Sequence, residues 1–431
     1  MHVFFSGIGG TGIGPLALVA QQAGFDVSGS DKQHSSYIEY LIKHGVRDIH
    51  IGQTAEDIQA IDQRKPIDWY VYSSAVEKEQ GLSAEMQYCQ DNGIRMSKRD
   101  EFLNHLLEAR ELKMVAVAGT HGKTTTTAMM IWLMLQIGEP VSYSVGAKIG
   151  FGVMGAYDPA STYFIYEADE YDRNFLAFHP ELSLITGVDW DHPDIYPTRD
   201  EYEQAFVTFL SQSNHSFVWR TDADKLSLPV SDDDPVTILD ETHETIASDL
   251  GLTGLVNRQN AWLVANAVHH LTGKSLVELV EHMNRFPGVS RRFEQIAPRI
   301  YTDYAHTPEK IRGALQVANE VAPGNVVVVY EGLHNTRQHF IKDELATLFD
   351  TAKAVYVVPS YLAREDESLE MLTPGKLCEL IQKPDDVHPA ELNEELRETI
   401  TKHVKYHDLV LCLSAGGGGS LDEWLRKNFR Q

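Results

Sequence analysis

The 431 residues give length for roughly two to four domains, and 43% hydrophobic with 23% charged residues is an ordinary globular composition. The 37 basic and 62 acidic residues leave a formal charge of −25, which repels polyanions and so excludes a nucleic-acid or anionic-membrane partner, though not a small phosphate ligand. Cys89, Cys378 and Cys412 are too scattered for a disulfide framework or a C-x-x-C metal site, Gly7 interrupts the only apolar N-terminal run, and no segment is apolar enough for a bilayer span; a cytoplasmic protein is expected.

The first predicted strand, HVFF, runs into GIGGTGIG, in which Gly7, Gly9 and Gly12 satisfy G-x-G-x-x-G. A helix over PLALVAQQAG closes at Gly24, and a second strand, DVSGSD, ends at Asp31, where dinucleotide folds place a ribose-binding acid. The pattern alone reads as a nicotinamide site. A helix over YIEYLIKHG, a strand at DWYVYSSAV and helices over SAEMQYCQDNG and RDEFLNHLLEAR continue the βαβ rhythm of a parallel sheet over residues 1–110.

A second unit, 111–287, opens with the buried strand KMVAVAG. The loop that follows, GTHGKTTTT, leads into the apolar helix TAMMIWLMLQIG, the context of a P-loop. Its backbone N–H groups would cradle phosphates, Lys123 would reach the β- and γ-phosphates, and Thr124 would meet Mg²⁺. Val117 stands where the full motif has its first glycine, so the motif is a shortened form starting at Gly119. Two acidic clusters close successive strands: Glu167, Asp169, Glu170 and Asp172, then Asp189, Asp191, His192 and Asp194. Hard oxygen ligands of this kind suit Mg²⁺. Asn257 and Asn260 stand one turn apart before an apolar helix, as capping residues do.

The third unit, 288–431, carries Arg291 and Arg292 in GVSRRFE and Asp303 and His306 in YTDYAHTPEK, with strands at RIYTDYA, NVVVVYEG, AVYVVPS and LVLCLSAG. SAGGGGSLDEWL reads as a strand end, a glycine turn and a last helix. The fold class is therefore α/β in three domains: a Rossmann-like first domain, a central P-loop ATPase domain and a Rossmann-like last domain.

GIGGTGIG…GSD, YSSAV, GTHGKTTTT, EADEYD, DHPDIY, GLVNRQNA, RRFE and DYAHTP, in this order, resemble the Mur ligase family, and within it the alanine-adding branch. The resemblance implies that the glycine turn holds the diphosphate of UDP-N-acetylmuramate instead of NAD, with Gly7, Gly9, Gly10, Thr11, Gly12, Asp31, Ser73 and Ser74 at that sugar nucleotide. It places Gly119, Thr120, His121, Gly122, Lys123, Thr124, Thr125, Asn257, Asn260, Arg292 and Asp303 at ATP. Thr124, Glu167 and His192 become ligands of two Mg²⁺ ions, and Lys123, Glu167, His192, His306 and Arg337 the catalytic set. The implied reaction joins L-alanine to the lactyl carboxylate through an acyl phosphate, in a monomer or homodimer acting on small molecules.

Some members carry a carbamylated lysine after the metal histidine; here that position is Val207. In YEGLHNTRQHF, Arg337 is kept and His334 stands where an earlier arginine is expected, while Asn335 and Thr336 resemble the branch that attaches a recovered murein tripeptide. That branch stays open, as does a non-catalytic nucleotide switch.

Overall fold

In the first strand Val3, Phe4 and Phe5 are wholly buried, as a strand covered by helices on both faces requires. The computed structural model describes the chain apart from residues 74–75, 77–80, 193–194, 230–234, 363–364, 367, 417–418 and 430–431. Strands β1 (His2–Ser6), β2 (Asp26–Asp31), β3 (Ile49–Ile51), β4 (Trp69–Tyr72) and β5 (Arg95–Lys98) form a parallel sheet in the order β3-β2-β1-β4-β5. The order reverses between β1 and β4, and ligands of such sheets bind outside the strand ends at this point. The turn after Ser6 and the end of β4 at Tyr72 lie there.

The second sheet holds β6 (Lys113–Ala118), β7 (Val141–Ser144), β8 (Gly155–Ala156), β9 (Tyr163–Glu167), β10 (Leu182–Ile185), β11 (Ser216–Trp219) and β12 (Val236–Leu239). Its order is β12-β11-β10-β6-β9-β7-β8, parallel except for the β7–β8 pair. The central β6 is flanked by β9 and β10, so the acidic strand ends meet the loop that leaves β6. The third sheet holds β13 (Glu294–Ala297), β14 (Ile300–Asp303), β15 (Val326–Leu333), β16 (Ala354–Tyr361), β17 (Val387–Pro389) and β18 (Leu409–Leu413) in the order β13-β14-β18-β15-β16-β17, with an antiparallel β13 edge. The mixed α/β class with three sheets is the one expected.

By contacts the chain forms two compact units, Met1–Leu250 with Gln259–Pro287, and Gly251–Arg258 with Gly288–Gln431. The first contains two sheets, and one apolar core runs through both, from Val3 and Phe102 to Phe164 and Phe206. Their seam is close. A Cβ on Gly155 would fall 2.1 Å from the Pro15 carbonyl oxygen, the Met154 N–H donates to the Tyr40 hydroxyl at 2.9 Å, and the Tyr157 N–H donates to Gln22 Oε1 at 2.8 Å. Cys89 and Cys412 are core residues and Cys378 is half-buried. Among the described residues no helix is long and apolar enough to cross a membrane.

Candidate functional site

The glycine turn after β1 satisfies most of its own amides. The Gly7 and Ile8 N–H groups donate to the Ser30 carbonyl at 2.9 Å, Gly10 donates to Gly7 at 2.9 Å, and Gly9 donates to Asp31 Oδ2 at 2.9 Å. Gly7 adopts φ +74°, open to glycine at little cost, and a Cβ there would meet Ser73 and Val76. Gly7, Gly9, Gly10, Asp31 and Ser73 are thus brought together, whereas Ser74 lies outside the described residues. Asp31 braces the turn in place of pointing freely outward. The N–H groups of Thr11, Gly12 and Ile13, just before the helix Gly14–Gln22, have no acceptor among the described residues. Only these remain available to an anion.

The loop after β6 takes two left-handed steps, Gly119 at φ +137° and Gly122 at φ +77°, and Gly122 caps the helix Lys123–Gln136. A Cβ at 119 would lie 2.4 Å from Thr186 Oγ1 and 2.9 Å from the Gly187 carbonyl oxygen, so Gly119 is required by space as well as by φ, whereas one at 122 would lie 3.1 Å from Asn260 Nδ2, so Gly122 is favoured chiefly by its φ. The loop is tied down by Thr120, whose Oγ1 meets the Asp189 carbonyl at 2.8 Å and the buried Tyr202 hydroxyl at 2.7 Å. His121 Nε2 lies 3.7 Å from Asp189 Oδ2, and Thr125 is half-buried on the first helical turn.

Two carboxylates divide the loop's functional side chains. Thr124 Oγ1 donates to Glu167 Oε1 at 2.8 Å, and Lys123 Nζ donates to Glu170 Oε2 at 2.6 Å and to the Gly119 carbonyl at 2.6 Å. Burial pushes the Lys123 ammonium down, but Glu170, Asp169 and Glu167 outweigh it, and its pKa lies above the ordinary value. Burial raises Glu170 despite the pull of Lys123. His192 adopts φ +56°, stands edge-on to Tyr171 with ring centroids 5.0 Å apart, and brings Nε2 to 3.8 Å from Glu170 Oε1 and Asp191 Oδ2. Its Nδ1 is buried without a hydrogen-bond partner among the described residues. Asp194 lies outside the described residues.

This donor set fits Mg²⁺: a hydroxyl and a carboxylate on one oxygen pair, and an orphaned imidazole beside a second carboxylate. Among the described residues no three His, Cys, Asp or Glu side chains converge on one point.

Asn257 and Asn260 correct the sequence reading. They lie inside the helix Leu255–Thr272 and not before it, since the turn at Gly254, φ +88°, starts the helix earlier. Asn260 is buried with its amide over Gly122, whereas the Asn257 amide donates to the Thr253 carbonyl at 2.8 Å.

In the second unit, Asp303 ends β14 and accepts the Phe293 N–H at 2.7 Å and the Ala305 N–H at 2.8 Å; burial raises its pKa against the pull of Arg292 and these bonds. The Arg292 guanidinium lies 4.8 Å over the Tyr304 ring. His306 Nδ1 meets the Tyr304 carbonyl at 2.9 Å, and burial together with the charges of Lys310, Arg337 and Arg292 pushes its pKa down to about 3. Arg337 is half-buried. His334 adopts φ +53°, with Nδ1 3.7 Å from Glu365 Oε1. Asn335 is engaged structurally: its amide donates to the Glu370 carbonyl at 3.1 Å and its oxygen accepts the Leu372 N–H at 2.8 Å. Thr336 bonds Glu365 through its N–H at 3.0 Å. The pair that resembled the tripeptide branch thus anchors a loop.

Sequence reasoning missed Arg99. It begins the helix Arg99–Ala109 and reads locally as a surface charge, yet its side chain is 15% exposed.

Three family models match in chain order: Mur ligase family, catalytic domain, over residues 2–111; Mur ligase middle domain, over 117–232; and Mur ligase, glutamate ligase domain, over 291–416. The UDP-N-acetylmuramate–L-alanine ligase of Renibacterium salmoninarum is 30% identical over 460 residues, which cover 96% of this chain and 93% of the relative. The protein of the same name from Gloeobacter violaceus is 28% identical over 439 residues, covering 96% and 92%. Among solved structures, the UDP-N-acetylmuramate-alanine ligase of Thermotoga maritima matches with a TM-score of 0.77 at 23% identity, covering 99% of this chain and 98% of that one. A murein peptide ligase from Psychrobacter arcticus matches with 0.64 at 22% identity, covering 96% of each. At these identities the two structures speak for the fold.

Proposed function

Because the chain belongs to the Mur ligase family, we propose that it is the cytoplasmic, ATP-dependent ligase that joins L-alanine to the lactyl carboxylate of UDP-N-acetylmuramate in peptidoglycan precursor synthesis. The observation that carries this reading is the loop Gly119–Thr124, whose lysine and threonine each meet a different carboxylate at the end of the β6–β9 pair. A dehydrogenase needs neither.

A carboxylate is a poor electrophile. The γ-phosphoryl of ATP is therefore transferred to the lactyl carboxylate oxygen, ADP leaves, and the alanine amine attacks the acyl phosphate carbon; phosphate departs as the amide forms. Lys123, already charged and buried, offsets the negative charge that accumulates when two anions meet. Thr124, Glu167 and His192 would hold Mg²⁺, which supplies charge neutralisation at the phosphoryl oxygens. Gly119–Gly122 would hold phosphates through backbone N–H groups, and the family resemblance assigns Asn257, Asn260, Arg292 and Asp303 to ATP. His306, held neutral by burial, would accept a hydrogen bond from the attacking amine, whose proton leaves with the departing phosphate, and Arg337 would pair with the alanine carboxylate. The free amides of Thr11, Gly12 and Ile13 would hold the diphosphate of the sugar nucleotide.

Phosphate release from ATP and Mg²⁺ with UDP-N-acetylmuramate tests the reading, with L-alanine, L-serine, glycine and the L-Ala-γ-D-Glu-diaminopimelate tripeptide offered separately. Release with L-alanine is expected. Release with the tripeptide alone would move the chain to the recycling branch, and none with any acceptor would sink the ligase reading.

A further inference from the structure

The Arg99 guanidinium fills the space beside the glycine turn. A Cβ on Gly12 would fall 1.8 Å from Arg99 Nη1, so residue 12 must be glycine for the arginine to lie there. The remaining nitrogens reach toward carboxylates without closing on them: Nη2 is 3.6 Å from Asp169 Oδ2 and Nε is 3.7 Å from Asp100 Oδ1. Both separations exceed a hydrogen bond. Asp100 Oδ1 is itself buried with no hydrogen-bond partner. Among the described residues, then, a largely enclosed guanidinium with five donors makes no hydrogen bond through its side chain, although enclosed donors ordinarily find acceptors. It stands over the one part of the turn whose amides, at Thr11, Gly12 and Ile13, also lack acceptors.

Neighbouring contacts hold it in place. Lys98 ties the end of β5 to Asp172 across the seam at 3.0 Å, and Tyr166, Asp169 and Glu167 of the second sheet and the residues after it act electrostatically on the guanidinium, with Asp169 3.6 Å away. Asp169 follows directly on β9, whose last residue, Glu167, meets Thr124. Arg99 thus connects the glycine turn with the acidic end of the ATP-type loop.

We propose that Arg99 is a diphosphate-binding residue: its guanidinium, parked over Gly12 by Asp100 and Asp169, joins the amides of residues 11–13 in holding the diphosphate of the sugar nucleotide. This rests on the sugar-nucleotide reading given above. The planar fork suits two oxygens of one phosphate, and lysine supplies the charge without the fork.

The test is calorimetric binding to the full chain of UDP, UDP-N-acetylmuramate and ATP, for the wild type and for Arg99→Gln, Arg99→Lys and Gly12→Ala, with thermal unfolding recorded for each. Arg99→Gln should weaken UDP and UDP-N-acetylmuramate alike, by about 10-fold or more, and leave ATP unchanged. Arg99→Lys, which keeps the charge and guards against a folding failure, should show a smaller loss. Gly12→Ala, which displaces the guanidinium, should weaken UDP with Arg99 intact. Unchanged UDP affinity in folded Arg99→Gln or Arg99→Lys overturns the assignment. So does a loss confined to UDP-N-acetylmuramate, which would put Arg99 on the lactyl carboxylate. A wild-type chain that binds neither uridine nucleotide would instead bring down the sugar-nucleotide reading from which the proposal starts.

Discussion

Lys123 and Glu170 form a 2.6 Å ion pair in which the carboxylate is 1% exposed. Removing one partner of such a pair leaves a buried charge, at a cost of about 3–5 kcal/mol. Lys123→Gln is expected to lower phosphate release by about 10²–10³-fold and to lower the unfolding temperature. In the double variant Lys123→Gln/Glu170→Gln the unfolding temperature should recover while release stays low. Thermal melts alongside phosphate release check both halves, and recovery of activity in the double variant would remove Lys123 from the chemistry.

Gly119 and Gly138 both have positive φ, at +137° and +77°, but differ in their surroundings. A Cβ at 119 meets Thr186 and the Gly187 carbonyl, and one at 138 meets nothing within 4 Å. Gly119→Ala should abolish ATP binding and cost several kcal/mol of stability, on the order of 3. Gly138→Ala should cost about 1–2 kcal/mol and leave ATP binding intact. Denaturant titrations with ATP calorimetry separate the two.

Glu294 is held by Arg426 through two bonds, at 3.0 and 2.6 Å, and by the Arg291 N–H at 2.7 Å. Burial pushes its carboxyl up, but these bonds and the Arg426 charge outweigh burial and hold it at about 2. A carboxyl depressed on folding contributes stability above its unfolded value, near 4.5, that is lost as pH falls toward 2. Glu294→Gln is expected to destabilise the neutral protein by about 2 kcal/mol, with the difference from wild type disappearing across that acid window. Denaturant midpoints taken from pH 7 to pH 2 would show it.

His306 should remain neutral wherever the enzyme works. Its depressed pKa, about 3 against an ordinary 6.5, means that stability is present above pH 6.5 and falls as the pH drops from there toward 3. Nitrogen-15 chemical shifts of the ring should report a midpoint far below 6.5, rising in Lys310→Gln as a facing cation is lost. A midpoint near 6.5 would show that burial and the neighbouring cations do not hold the ring neutral.

The long buried strands and the two glycine loops were legible because apolar runs and forced glycines are local signals. The strands β3, β5, β7, β8, β11, β12, β13 and β17 were not, being short and set toward sheet edges, where the pattern is weak. Within EADEYD the residue pattern alone could not separate Glu167 from Glu170, and only the family resemblance singled out Glu167. The chain leaves β9 at Glu167, so strand alternation no longer tells which carboxylate faces Thr124 and which faces Lys123. Arg99 was invisible for a related reason: its partners, Gly12 and Asp169, come from other elements, and nothing in RDEFLNHL announces them. The start of the helix at Leu255 was misplaced because Asn257 looks like a cap and instead bonds back to Thr253.

The seam at Gly155 bears on how such a protein can be inherited or recombined. With its backbone pressed to the Pro15 carbonyl, and Tyr40 and Gln22 bonded across the same line, the first sheet fits only a partner that has glycine at this point and amides in this register. A chimera that takes residues 1–110 from a relative would import a foreign Pro15 surface. It should assemble only if the strand containing Gly155 travels with it.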